Sequence, residues 1–126
     1  MIILSRFLTI IYNGIRMKKL FVNVPLNSII LNILWCLYKN GYIAGYTINK
    51  KNICIFLKYY QGQNILIIIK QISKISCRIY YKYNKIFSEK KINNIFILTS
   101  SKGIILTENI NKKNNRLGGE ILFKIK

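Results

Sequence analysis

The first acidic side chain in this sequence is Glu89, and only Glu108 and Glu120 follow it, against 21 Lys and Arg spread over 126 residues. Such a chain cannot be held together by internal ion pairs. Its fold must come from apolar burial, and its surface must carry unpaired positive charge, +18 in all with no His. Polyanions are the natural partners, either nucleic acid or an anionic membrane surface. Hydrophobic residues make up 52% of the chain, too many for a disordered basic tail. The length fits one domain or two small lobes.

The same scarcity removes whole classes of chemistry. Without His, and with three scattered carboxylates, the chain has no Ser-His-Asp triad, no His-bearing metal site and no carboxylate dyad. Ser101-Lys102 could supply a nucleophile, but nothing supplies an oxyanion partner. A non-enzymatic protein with no cofactor, metal or small-molecule substrate is expected. Cys36, Cys54 and Cys77 have no CxxC spacing and lie in apolar surroundings, so buried free thiols in a reducing compartment are expected. The longest strongly apolar stretch, 29–38, is broken by Asn32 and is far short of the ~20 residues a membrane span needs. The opening residues run straight into patterned sequence and read as a first helix of the mature protein, without the small-residue cleavage site of a targeting peptide. The 28 Ile, 17 Lys and 15 Asn have A/T-rich codons and point to an A/T-rich genome such as an organelle's. Acid depletion has no such explanation.

Periodicity gives an α+β fold in two small lobes, 1–72 and 73–126. Ile3, Phe7, Ile10 and Ile11 recur at helical spacing, with Asn13-Gly14 as a stop. An apolar run over 20–24 closes at Pro25. Asn27 or Ser28 caps a second helix whose buried stripe is Ile30, Ile33, Leu34 and Leu37, and Gly41 suits its left-handed end. Strands are predicted over 42–48, 53–60 and 65–69. The N-terminal lobe is thus α-β-α-β-β with a further strand beyond, and the C-terminal lobe is β-rich with one short helix. In that lobe 77–83 alternates, with Arg78, Tyr80 and Lys82 on one face and Cys77, Ile79, Tyr81 and Tyr83 on the other. The first row reads either as a solvated edge or as a cationic, aromatic face for RNA. A helical turn is predicted at 88–91, strands at 92–98 and 120–125, and a basic, weakly helical stretch at 109–115.

Thr99-Ser100-Ser101-Lys102-Gly103 is the most polar turn in the chain. Its hydroxyls both donate and accept, its ammonium can meet a phosphate, and its glycine lets a backbone approach closely. Glu120 could accept from base amino groups or pair with Arg116.

Taken together, Leu57-Lys58-Tyr59-Tyr60-Gln61-Gly62, Ser73-Lys74-Ile75-Ser76-Cys77-Arg78-Ile79-Tyr80, Thr99-Ser100-Ser101-Lys102-Gly103-Ile104 and Leu117-Gly118-Gly119-Glu120 resemble the signature segments of the small-subunit ribosomal protein family called S-eight. Leu8-Thr9 to Asn13-Gly14 resembles the family's first helix, and the distance from Pro25 to Gly41 is also kept. Ile11-Tyr12 stands where the family usually has basic residues, and Ile75-Ser76 where it has Pro-Gly. The resemblance implies a two-lobed protein that binds the central domain of small-subunit rRNA, supports early assembly and lies beside other small-subunit proteins. It implies that Thr99, Ser100 and Ser101 hold the minor groove of a distorted rRNA helix, completed by Lys102 and Gly103. Arg78 and Tyr80 would flank that loop, and Gly118, Gly119 and Glu120 would frame it. Lys18, Lys19, Asn27 and Ser28 would meet a neighbouring stretch of backbone. With the codon bias, a mitochondrial ribosome is expected, and a plastid-type organelle is the alternative. A second reading is a cationic peripheral membrane-surface protein whose first helix lies in the interface.

Overall fold

The computed structural model describes residues 2–66, 69–92, 94–109 and 118–125. Backbone contacts divide the chain into two compact units, Met1–Ile67 and Ile68–Lys126. The strand Ile69–Gln71 thus falls in the second unit, a few residues ahead of the division expected after residue 72.

The first unit begins with α1 (Ile2–Arg16) and β1 (Phe21–Pro25). Next come α2 (Ser28–Lys39), β2 (Ile43–Ile48) and β3 (Asn52–Leu57), and a two-residue hairpin of β4 (Tyr59–Tyr60) and β5 (Gln63–Asn64) closes it. The sheet order is β1-β3-β2, antiparallel throughout, with β3 central. Alternation decides which face is covered. Val22 and Val24 pair with Ile55 and Ile53 on the buried face, which α1 covers at β1 and α2 at β2. All four residues of the predicted α2 stripe are buried, and Cys36 joins them. Asn27 caps this helix, its side-chain oxygen accepting from the Ile29 amide at 2.9 Å.

Helix α1 differs from expectation in two ways. Its buried stripe is Leu4, Phe7, Leu8 and Ile11, so Ile3 is exposed. It also continues through Asn13-Gly14 to Arg16 and ends only where Lys18 takes a left-handed φ of 53°, with the Lys19 amide donating back to the Gly14 carbonyl at 2.9 Å. Gly14 is therefore a contact point and not a stop. A Cβ there would collide with Cγ1 of Val22, so the missing side chain is what lets the helix lie against β1. With its apolar face packed on the sheet, α1 leaves Ile2, Ile3 and Tyr12 as its exposed large apolar residues for the membrane-surface reading.

The second unit contains β6 (Ile69–Gln71), β7 (Tyr80–Tyr81), α3 (Tyr83–Lys91), β8 (Ile95–Ser100), β9 (Gly103–Leu106), a 3-10 turn (Thr107–Asn109) and β10 (Gly119–Ile125). β10 is the hub: β8 pairs along one side, and β6 and β7 share the other. On one face Phe96, Leu98 and Ile121 pack with Ile86 of α3, and Tyr81 meets Phe96 edge-on at 5.8 Å between centroids.

Several expected boundaries shift here. The predicted strand over 77–83 contains only Tyr80–Tyr81 as strand, because residues 74–77 fold into a tight turn and Tyr83 already starts α3. The turn is closed by the Lys74 amide on the Cys77 carbonyl at 2.8 Å and the reciprocal bond at 3.2 Å. The turn predicted at 88–91 is the end of α3, and the strand predicted from residue 92 starts at Ile95 and runs on to Ser100. Of the strand predicted over 65–69, Ile65 and Leu66 are not in a strand, since Asn64 folds its side chain onto the Leu66 amide at 2.7 Å; residues 67 and 68 lie outside the described residues, and Ile69 opens β6. The 109–115 stretch lies, but for the end of the 3-10 turn, outside the described residues. None of the three cysteines is in a disulfide. Cys36 is buried and Cys54 half-buried, but Cys77 is exposed, because it closes a surface turn instead of lying in a strand.

Candidate nucleic-acid interface

The polar turn sits at the tip of the β8–β9 hairpin. Ser100 pairs with Gly103, leaving Ser101 and Lys102 at the exposed apex. The Ser100 hydroxyl donates to the Gly103 carbonyl at 3.1 Å and accepts from the Lys102 amide at 3.3 Å, so this serine shapes the turn. Gly103 has φ +98°, and the space where a Cβ would stand is open. A phosphate or ribose could come directly against that backbone.

Strand register turns the neighbouring candidates into a single row. Tyr80 of β7 lies opposite Glu120 of β10, Glu120 opposite Thr99 of β8, and Thr99 opposite Ile104 of β9. Cross-strand partners share a face, so Tyr80, Glu120 and Thr99 stand side by side, on the face away from Ile121 and Leu98. Further along the same face Ile97, Leu106 and Phe123 are buried, which leaves this row as its polar end. Tyr80 is 65% exposed, whereas Tyr81 points the other way into the core with Lys85 4.4 Å above its ring. Adjacent tyrosines thus split between solvent and core, as alternation predicts. Oε1 of Glu120 is enclosed and has no hydrogen-bond partner among the described residues; Arg116, its alternative partner, lies outside them.

Gly118 and Gly119 make this row possible. A Cβ on Gly118 would stand 2.7 Å from the Tyr81 carbonyl oxygen, and one on Gly119 would collide with the Thr99 carbonyl oxygen and lie 2.9 Å from its carbon. The glycine pair lets β10 enter between two backbones that no larger residue could separate. Below the row, the buried Ser73 hydroxyl donates to the Ile121 carbonyl and accepts from the Ile79 amide at 3.1 Å, fixing the segment that leads into β7.

Not every candidate joins. Arg78 is exposed just before β7 but outside the strand, and Lys82 is the N-cap position of α3, so the predicted row Arg78-Tyr80-Lys82 does not form on a strand. In the first unit, Lys18 and Lys19 follow α1 while Asn27 and Ser28 open α2. The two pairs lie at opposite ends of β1, about 17 Å at the usual rise per strand residue. Asn27 spends its side-chain oxygen on the helix cap, and the Lys19 carbonyl accepts from the Tyr59 hydroxyl.

Charge is segregated as well. The Glu89 carboxylate accepts from the Asn94 amide at 2.6 Å, and the Glu108 carbonyl takes the Lys90 ammonium at 3.1 Å. Both acids lie near the Ile95 end of β8, at the other end of that strand from the Ser100–Gly103 tip. That leaves Glu120 as the carboxylate beside the turn. A hydroxyl-rich tip with a cation, a bare glycine and an exposed tyrosine can grip a nucleic-acid backbone and stack on a sugar or base. No group of three or more His, Cys, Asp or Glu suited to a metal occurs among the described residues.

Residues 3–125 match the family described as Ribosomal protein S8. The chain is 38% identical over 128 residues to the small ribosomal subunit protein uS8m of Acanthamoeba castellanii, covering 99% of both chains. It is 35% identical over 122 residues to the small ribosomal subunit protein uS8 of Buchnera aphidicola, covering 94% of this chain and 92% of that one. A uS8 of Mycoplasmopsis pulmonis is 34% identical over 97% of this chain and 94% of its own. Because the match takes in both units, with the glycine pair and the polar hairpin tip inside it, the chain belongs to the ribosomal protein S8 family.

Proposed function

We propose that this protein is a structural constituent of a mitochondrial small ribosomal subunit, binding the central domain of small-subunit rRNA directly and supporting assembly and translation. The observation that carries the reading is the row Tyr80-Glu120-Thr99 beside the exposed Ser101-Lys102-Gly103 apex, at the end of the sheet away from the other two acids. The family supports a structural, non-enzymatic role with ribosomal RNA and ribosomal proteins as partners. The organellar assignment draws on the uS8m relative and on the Ile, Lys and Asn excess, although the bacterial relatives are nearly as similar. Among the described residues, no helix is long and apolar enough to cross a membrane.

Binding begins with electrostatic capture by an almost acid-free surface. Shape-specific docking of the hairpin tip into an RNA minor groove follows, with Thr99 and Ser101 reaching ribose or base edges and Lys102 a phosphate. The test is titration of a central-domain rRNA helix. Ser100→Ala with Ser101→Ala should weaken binding by about 1–3 kcal/mol and leave most of the salt dependence in place. Lys102→Gln should instead flatten the salt slope by about one unit. Unchanged affinity in the double serine variant would sink the assignment.

A further inference from the structure

The three-stranded sheet of the first unit is covered on one face only. Its other face is exposed and reads in rows across β1, β3 and β2. Phe21, Phe56 and Gly45 form the first row, followed by Asn23, Cys54 and Thr47. Phe21 is 53% and Phe56 40% exposed, directly opposite each other on adjacent strands. Among the described residues, apart from Gly45 and its two chain neighbours, nothing lies within 4 Å of where a Gly45 Cβ would stand, so the sheet position opposite Phe56 is open. Two large aromatic side chains facing solvent on neighbouring strands, where alternation would ordinarily put polar residues, are costly unless something covers them.

We propose that this open face is a second RNA surface, on which unpaired bases stack against Phe21 and Phe56. The inference rests on the reading of the chain as an RNA-binding ribosomal protein but uses none of the hairpin-tip residues. Charge selects the occupant: residues 1–67 hold eight Lys and Arg and no acid. Lys19 and Lys58, both exposed, lie two residues beyond Phe21 and Phe56 at the same end of the antiparallel pair. A polyanion is thereby drawn to the phenyl row. The neighbouring side chains are amides and hydroxyls, Asn23, Thr47 and Asn52, which can donate to and accept from base edges, whereas a purely apolar protein footprint would leave them unmatched. Stacking on an aromatic face accepts any base, so single-stranded RNA is the chemical class that fits.

The experiment titrates full-length protein with decauridylate and, in parallel, crosslinks a 5-iodouridine version by ultraviolet light. Crosslinks should map to Phe21 or Phe56. The double substitution F21A/F56A should weaken decauridylate binding roughly ten- to a hundredfold, while F21Y/F56Y stays within about twofold of the parent. Neither ring belongs to the buried core, so circular dichroism of F21A/F56A should match the parent. The same variant should bind the central-domain helix normally, and S100A/S101A should bind decauridylate normally, which separates failure here from failure of the hairpin-tip reading. Unchanged decauridylate affinity in F21A/F56A, or crosslinks confined to other residues, would overturn the proposal. Loss of incorporation into small subunits with no change in decauridylate affinity would also overturn it, by marking the face as a protein interface.

Discussion

Gly119 and Thr99 meet backbone to backbone: the place a Cβ would occupy on Gly119 is already held by the Thr99 carbonyl group. The hairpin tip, with its hydroxyls, is therefore tied to the last strand through a contact that tolerates only hydrogen. Gly119→Ala should force β10 away from β8 and destabilise the second unit by about 3 kcal/mol, the upper end of what overpacking usually costs. Urea unfolding followed by circular dichroism measures this. A loss under about 0.5 kcal/mol would mean that the strands can part without penalty.

Gly14 poses the opposite problem inside a helix. Alanine there gains about 1 kcal/mol of helix propensity but drives a methyl group into the stiff Val22 side chain. We expect Gly14→Ala to lose stability, and Gly14→Ala combined with Val22→Ala to be more stable than the sum of the two single changes predicts. A double-mutant cycle reads the coupling, and strict additivity would show that the contact is relieved some other way.

Ser73 is a buried hydroxyl serving two backbone groups, the Ile121 carbonyl and the Ile79 amide. Ser73→Ala leaves both without that partner and should cost about 2 kcal/mol. Hydrogen exchange gives a local readout, because the Ile79 amide should lose protection while amides in the first unit keep theirs.

The cysteines differ in access. Cys77 should react with a thiol reagent in the native protein, Cys54 more slowly, and Cys36 only at the rate of unfolding. Mass spectrometry of partly labelled protein gives the order, and early labelling of Cys36 would contradict its place in α2.

How much of this is legible in the sequence depends on the distance over which each signal acts. The α2 stripe, its Asn27 cap and the strand through 53–57 are set by neighbours a few residues apart, and they are legible in the sequence. The Arg78-Tyr80-Lys82 row failed because periodicity cannot see that the 74–77 turn and the start of α3 leave room for only two strand residues. Gly14 looked like a stop because glycine signals both a break and a close approach, and only the position of Val22 distinguishes them. For the hairpin tip, composition picked out the residues, whereas the alignment of Tyr80, Glu120 and Thr99 comes from register between strands distant in sequence. Phe21 carries a usable signal, since it shares the phase of Asn23 and alternates with Val22 and Val24, whereas Phe56 lies in the wholly apolar run 53–57, which shows no phase. Their pairing across the sheet was not visible.

The hub position of β10 has a consequence for timing. β6, β7 and β8 all hydrogen-bond to a strand synthesised after them, so the second sheet cannot close until residues 119–125 have left the ribosome. The first unit has every strand of its own sheet by Leu57 and is free to fold during synthesis. A nascent chain would thus display its open phenyl face while the Tyr80-Glu120-Thr99 row did not yet exist, so the two surfaces proposed to meet RNA would form in order, from the N-terminal unit to the C-terminal one.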